Sequence, residues 1–301
     1  MNKTTLYFAM LCAALAPACA SAEDDGHAGE ASQDVISLNG TSLNGSVLAG
    51  ISPLGIALTG ATLSSVAVAG TGANLLPLVA GSSTAPPLTG ASVVGSTWLG
   101  TASNAAAVKL RIDSAQQGTA PNADTWFYAV SYQTQIGWSP LCGLDTAGQP
   151  IRAVPVAGVW SSVIGDSASY GASALRFTFA CRGKSVAKCV ELGYKPYKGF
   201  ANQLASCVRM LRGDYCGSGN THTVDGTTVN LYDNVGVQND AAAWPAEAEW
   251  TPQGARCVNS RNAARWQLAS SKEPSCVKPL LTTTCGASFG TGVYLIDELP
   301  N

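Results

Sequence analysis

Histidine is nearly absent from this chain. Only His27 and His222 occur among 301 residues, so a zinc site of the usual Cys/His type has little to draw on. Charge is sparse as well: 12% of residues are charged, with 17 Lys+Arg against 19 Asp+Glu and no basic cluster. That pattern excludes nucleic acid and anionic lipid surfaces as expected partners. Beyond the N-terminus no stretch runs to about 18 uninterrupted apolar residues, so no second membrane segment is expected. Walker A, dinucleotide-binding and EF-hand patterns are all missing, and no cofactor is expected. Cysteine is scarce in the first half, where only Cys12 and Cys19 occur ahead of Cys142.

What is present begins with an export signal. Lys3 is the only charge in the first 22 residues, and Leu6 to Leu15 is almost wholly apolar. That run has the length of a signal h-region and is too short to span a bilayer. Small residues come next, and Ala20-x-Ala22 predicts cleavage after Ala22, ahead of the acidic run Glu23-Asp24-Asp25. The alternative is lipoprotein processing, in which Cys19 is acylated and becomes the new N-terminus. The chain is therefore expected to be secreted, periplasmic or associated with the outer membrane. It would touch a membrane only through an N-terminal lipid anchor.

Eight cysteines remain under either reading: Cys142, Cys181, Cys189, Cys207, Cys216, Cys257, Cys276 and Cys285. An even number in an exported chain predicts four disulfides. Eight cysteines allow on the order of 100 pairings. Short loops favour Cys181–Cys189 and Cys207–Cys216 as local bridges.

The N-terminal half carries a period of five. Leu38, Leu43, Leu48, Leu58, Leu63 and Val68 share one register that only Pro53 breaks, and Gly40, Gly45, Gly50, Gly55, Gly60 and Gly70 stand two residues after register positions. After Pro77, Pro86 and Pro87 the pattern resumes at Leu88, Val93 and Trp98. Five matches neither strand nor helix periodicity. It fits a chain that turns a corner every five residues, with Gly easing the turn, and is similar to pentapeptide-repeat β-solenoids. Residues 38 to 70 make fewer than two four-sided turns, so the segment should dock on the C-terminal part of the chain. A low-complexity linker is the other reading.

From Ala107 the texture changes. Val108–Ile112, Trp126–Tyr132 and Arg176–Cys181 alternate β-branched and aromatic residues between turn-formers, which predicts strands. Asp225-Gly226 between Val224 and Val229–Tyr232 predicts a hairpin. Helices are expected over Ser185–Leu192, closed by Gly193, and over Asn202–Arg212, with Leu204, Cys207, Val208 and Leu211 on one face. The fold class is α+β, mostly β: a disulfide-stapled domain of short strands with two short helices, preceded by a short β-solenoid-like repeat segment. The expected organisation is a signal peptide at 1–22, an acidic linker at 23–37, the repeat segment at 38–104 and the stapled domain at 105–301.

The most distinctive text runs from Cys181 to Asp233: CRGKSVAKCVELGYKP, CVRMLRGDYCGSG, HTVDGTTVNLYD, and then GVQ at 236–238. With WSPLCG upstream and EAEW and GARC downstream, it closely resembles the ADYC-domain family of exported bacterial proteins over roughly residues 90 to 285. The signature here is Gly213-Asp214-Tyr215-Cys216, which departs from Ala-Asp-Tyr-Cys at its first position only. Leu/Gly-rich repeats ahead of the domain also look like family members. The resemblance implies location and a cysteine framework; the family's activity is uncharacterised, and it implies no catalytic residues.

Candidate chemistry is thin. Glu247 and Glu249, with Trp250 or Trp244 as a sugar platform, would suit glycosidase acid/base work; the bland reading is an exposed edge strand with its aromatic packed inward. His222 with Asp214 or Asp225 is the other acid/base pair, although an Asp beside a bridged Cys more often caps a turn. Gly286-Ala287-Ser288-Phe289-Gly290 spells a nucleophile elbow, but no His lies C-terminal to it. Arg212-Gly213-Asp214 spells an adhesion tripeptide and reads as a chance match. The expectation is a non-catalytic binding or structural protein acting on an unknown ligand or cell-envelope component. The alternative is an exported hydrolase, on carbohydrate, using Glu247/Glu249 or Asp214/His222.

Overall fold

The computed structural model describes residues 36–38, 47–48, 56–62, 94–95, 97–102, 107–157, 176–262, 264–269 and 272–300. In chain order the strands are β1 (Ile36–Leu38), β2 (Val47–Leu48), β3 (Ile56–Thr62), β4 (Thr97–Ala102), β5 (Ala107–Gln117), β6 (Trp126–Thr134), β7 (Gly137–Pro140), β8 (Ala153–Ala157), β9 (Arg176–Cys181), β10 (Thr228–Asp233), β11 (Ala246–Thr251), β12 (Gly254–Asn259), β13 (Leu281–Thr282) and β14 (Leu295–Glu298). The helices are α1 (Ser185–Glu191), α2 (Ala201–Arg212) and the single turn α3 (Arg265–Leu268). The signal segment and most of the five-residue register lie outside the described residues.

The strands build two sheets. In one, β3, β4, β5, β6, β8 and β9 pair antiparallel in that order, and Ala61 on β3 pairs with Phe177 on β9, so the sheet closes on itself. The other is a six-stranded sheet ordered β1-β10-β14-β11-β12-β13, antiparallel except for β12 with β13. Helices α1 and α2 pack on each other, with α1 against β9 and α2 against β11, β12 and β14. The helical layer thus lies between the closed sheet and the six-stranded one.

Burial explains why these segments take these forms. On β6, Phe127 to Tyr132 are all buried. Leu110 pairs with Tyr132 and Ile112 with Val130, so these side chains share one face of the closed sheet. Phe127, on the other face, joins Val154, Val156 and Ala180 in the core shared with α1 and α2. A strand buried on both faces needs the near-continuous apolar run that Trp126–Tyr132 supplies. The expected single apolar face of α2 is also an understatement, since Gln203 to Arg212 are all buried. Its end is set by Gly213 at φ +60°, where a Cβ would lie 3.1 Å from the His222 carbonyl oxygen.

The strands expected at Val108–Ile112, Trp126–Tyr132 and Arg176–Cys181 are present, as are both expected helices. The Asp225-Gly226 turn forms, with Thr227 N–H donating to the Val224 carbonyl. It is not a hairpin, however: β10 pairs with β1 and β14, and no strand immediately precedes the turn.

Four disulfides are present, and their pairing corrects the local one. They are Cys142–Cys181, Cys189–Cys207, Cys216–Cys276 and Cys257–Cys285. Cys207 sits in mid-helix, and the remaining rise of α2 carries the chain about 7–8 Å before it can turn toward Cys216. Cys216, beyond the helix end, is bridged to Cys276. Cys189 instead faces Cys207 across the α1–α2 contact, both fully buried, while Cys181 closes on the loop after β7. The Cys189–Cys207 bridge closes an 18-residue separation. Replacing both cysteines by Ala should cost about 3 kcal/mol, read as a lower urea midpoint.

Candidate functional site

The signature Gly213-Asp214-Tyr215-Cys216 begins where α2 ends, and each of its last three residues ties that end to a different element. Asp214 accepts from the Arg209 guanidinium, one turn back on α2, and from Gly219 N–H at 2.9 Å. Arg209 in turn donates from Nε to the Pro252 carbonyl at the β11–β12 turn, 3.1 Å. Cys216 is bridged to Cys276. Between them Tyr215, fully buried, donates its hydroxyl to Glu247 Oε1. The turn between β11 and β12 presses so closely on this loop that glycine is required. A Cβ on Gly217 would stand 1.8 Å from the Gln253 carbonyl oxygen, and one on Gly254 would stand 2.5 Å from that of Tyr215.

Tyr215 is one member of a dry ionic cluster. Arg265, the first residue of α3, donates from Nε to Glu247 Oε2 at 2.7 Å, from Nη2 to Asp297 Oδ2 at 3.0 Å and from Nη1 to the Met210 carbonyl at 2.5 Å. Its backbone N–H reaches Glu247 Oε1 at 2.7 Å. Trp250 Nε1 donates to Asp297 Oδ1 at 2.7 Å, and its ring centroid lies 5.5 Å from the guanidinium. Tyr215 meets Trp266 edge-on, with centroids 4.9 Å apart at 85°. The side chains of Arg265, Glu247 and Asp297 are wholly excluded from solvent.

One guanidinium cannot neutralise two carboxylates, so the cluster keeps a proton. Burial, then the neighbouring Glu247 charge, pushes Asp297 well above the ordinary carboxylate range. Burial alone would push Glu247 upward too, but the Arg265 guanidinium and the hydrogen bonds from Asp297 and Tyr215 outweigh it and hold the group below its usual value. Asp297 is therefore the member pushed toward its neutral form, and Arg265–Glu247 is the ion pair. Burial and the Glu247 charge also keep the Tyr215 phenol protonated.

Glu249 is not part of this. Strand β11 shifts register on either side of it, between Ala246 and Ala248 and again between Glu249 and Trp250. The first of these, with Glu247 as the extra residue, puts Glu247 and Trp250 together on the face toward α2 and α3. Glu249 instead accepts from Gly286 N–H at 3.0 Å, near the sulfurs of Cys257 and Cys285. Those sulfurs are bonded to each other and offer no thiolate. The two glutamates thus have separate partners and no shared reaction centre.

Other expectations meet similar corrections. Trp250 is fully buried and cannot be a sugar platform; Trp244 is half-exposed. Strand β11 is central, between β14 and β12, and not an edge. Arg212 and Asp214 are 5% and 1% exposed, so the adhesion tripeptide is not presented. Residues 286–290 lie in turns and bends with no strand leading into a helix, so they form no nucleophile elbow. His222 lies 6.3 Å, centroid to centroid, from Tyr215. Burial lowers its pKa and the Asp214 charge opposes that. Asp214 accepts its hydrogen bonds from Arg209 and Gly219.

Arg265, Asp297 and Arg209 carry this architecture without any motif that marks them in the sequence. An Asp inside the apolar strand Leu295-Ile296-Asp297 and an Arg beside Trp266 were the available signals. Lys195 is equally unmarked; its side chain is 2% exposed and pairs with Asp124, a carboxyl held far below its usual range by Lys195 and Lys198 against the upward push of burial.

Arg265→Met should cost about 3–5 kcal/mol in chemical denaturation, because it strands a buried carboxylate. Asp297→Asn, which mimics the neutral acid, should cost only about 1 kcal/mol. The Asp297 carboxyl is raised in the folded state, so its contribution is present in acid and lost as pH rises through its folded value. Unfolding free energy followed from acid to alkaline pH should accordingly fall less steeply in Asp297→Asn than in the native protein.

No curated protein and no solved structure shows a detectable match to this chain. The family model of the ADYC domain matches residues 90–264, more than half of the sequence. That span holds the closed sheet from β4 onward, both long helices, the signature loop and the Glu247 strand. The match and the Gly213–Cys216 signature agree: the chain belongs to the ADYC domain family.

Proposed function

We propose that this protein is exported to the cell envelope or beyond, and that its ADYC domain binds or scaffolds without catalysis. The observation that carries the reading is the commitment of its candidate acids. Asp214 is tied to Arg209 and Glu247 to Arg265, while Glu249 is bonded to a backbone N–H beside a disulfide. A general acid or base needs a polar group that can reach substrate; Asp214 and Glu247 are 1% exposed and Glu249 is 7% exposed. Their charges stabilise the fold instead.

Location is supported by the bridges. Four disulfides fit an oxidising compartment, and no described helix is long and apolar enough to cross a membrane. The apolar run before Ala22 supplies the signal, with Cys19 acylation as the alternative route to the envelope. Within the reading, the five-residue repeats act as a spacer or docking edge for the stapled domain, and a cell-envelope component is the partner.

Mass measurement of the protein recovered from cells should give an N-terminus at Glu23, or a lipid-modified Cys19. An intact Met1 form confined to the cytoplasm would overturn export. The purified mature protein should co-sediment with cell-envelope polysaccharide and release no reducing ends. Polysaccharide turnover that disappears in Glu249→Gln or His222→Ala would instead establish the hydrolase alternative.

A further inference from the structure

The six-stranded sheet has a second face, turned away from α2, and it carries a carboxyl pair bridged by one amide. On β10 the residues Asn230 and Tyr232 share this face, since Val229 and Leu231 point into the helical core. Across from Asn230 stands Glu298, near the C-terminus of the described chain. The 239–245 loop, between β10 and β11, runs beside them.

Asn230, fully buried, ties the loop to the sheet. Its Nδ2 donates to Asp240 Oδ1 at 2.8 Å, to Glu298 Oε2 at 2.9 Å and, more weakly, to the Ala242 carbonyl at 3.3 Å. Its Oδ1 accepts from Ala241 N–H at 3.4 Å. Asp240 also accepts from Ala242 N–H at 3.2 Å. The Tyr232 hydroxyl and the Trp244 N–H, which donates to the Ala242 carbonyl at 2.9 Å, lie beside Glu298 and favour its charged form. The two N–H groups of one amide thus serve three acceptors, two of them carboxyl groups. Among the described residues neither carboxyl is paired with a Lys or Arg.

Four elements surround Glu298. From β10 come Asn230 and the Tyr232 phenol; from the loop come Asp240 and Trp244 N–H; β11 contributes Ala246, which carries no charge. On β14 its own neighbour Asp297 belongs to the opposite face, held by Arg265 and Trp250. Among the described residues the only full charge directed at Glu298 is therefore the like charge of Asp240. Glu298 is buried, whereas Asp240 is exposed. Burial and Asp240 raise the Glu298 carboxyl, and the three donor groups beside it only partly offset them.

We propose that Asn230, Asp240 and Glu298 form a proton-dependent latch, closing the 239–245 loop onto the sheet when Glu298 carries its proton and loosening it when the proton leaves. The sign comes from linkage: a carboxyl group raised in the closed state stabilises that state in acid and loses this contribution as pH rises through its folded value. Loosening would uncover Tyr232, whose ring meets Phe289 edge-on at 5.9 Å, and the half-exposed Trp244 rides on the moving loop. For an exported protein, external pH would then set how much of this aromatic face is uncovered, whatever ligand it meets.

The test is an NMR pH titration of the full mature protein. It monitors the Asn230 side-chain amide, the Trp244 backbone N–H and the Ala241 backbone N–H. The expected result is one shared single-proton transition with a midpoint above the ordinary carboxyl range, with the loop amides broadened or shifted on its alkaline side. Asp240→Asn, an isosteric change that removes only the charge, should move the midpoint down; Glu298→Gln should abolish the transition. Loop signals that do not move with pH would overturn the latch, and so would a midpoint unmoved in Asp240→Asn. An unchanged transition in Glu298→Gln would assign the proton to another group and overturn it equally.

Discussion

A guanidinium with no access to water must be fully matched by acceptors, and the matching of Arg265 organises half of this domain. Its donors reach the carboxylate of Glu247 on β11, the acid of Asp297 on β14 and the carbonyl of Met210 near the end of α2. Three elements that are far apart in sequence are thereby fixed to one planar group, whose fork geometry tolerates little displacement. Removing a charged group from water costs several kcal/mol, so such a cluster persists only when every lone pair and proton is used. Tyr215 and Trp250 complete that accounting from the signature loop and from β11. The proton retained on Asp297 brings the buried set to neutrality.

The ADYC-type signature takes its meaning from this cluster. Asp214 turns the chain back on α2 through Arg209, Tyr215 reaches into the buried acid, and Cys216 anchors the loop to Cys276. Gly213, where the family signature has Ala, takes a left-handed exit from the helix at φ +60° with the His222 carbonyl oxygen 3.1 Å from where a Cβ would stand. Four consecutive residues thus perform four separate structural tasks, and none of them presents a reactive group to solvent. The opposite face of the same sheet is built differently. There the carboxyl groups meet no cation among the described residues, and an amide mediates between them, so protonation can alter contacts that the Arg265 side holds fixed.

Much of the local structure was legible in the sequence. The aromatic-rich segments Trp126–Tyr132 and Arg176–Cys181, bounded by turn-formers, are strands. Helix α2 stops where Gly213 permits a left-handed residue. Bridge pairing was not legible. Loop length favoured neighbours, but Cys207 sits in mid-helix and faces Cys189 directly across a helix contact. Nor was the division of labour between Glu247 and Glu249. Two-residue spacing places side chains on one face of a regular strand, and the register shift between Ala246 and Ala248 separates them.

By itself, then, the sequence determined the class of the fold, the number of cysteines available for bridging, the two longer helices with four of the strands, and the family to which the signature belongs. These are local or compositional properties, set by side-chain shape, backbone freedom and hydrophobic period. The closure of one sheet through β3 and β9, the partners of each cysteine, and the neutral acid at Asp297 were decided only by tertiary structure. Each depends on which distant groups share a dry space, and in such a space the strength of a charge is fixed by its neighbours, not by its own residue type.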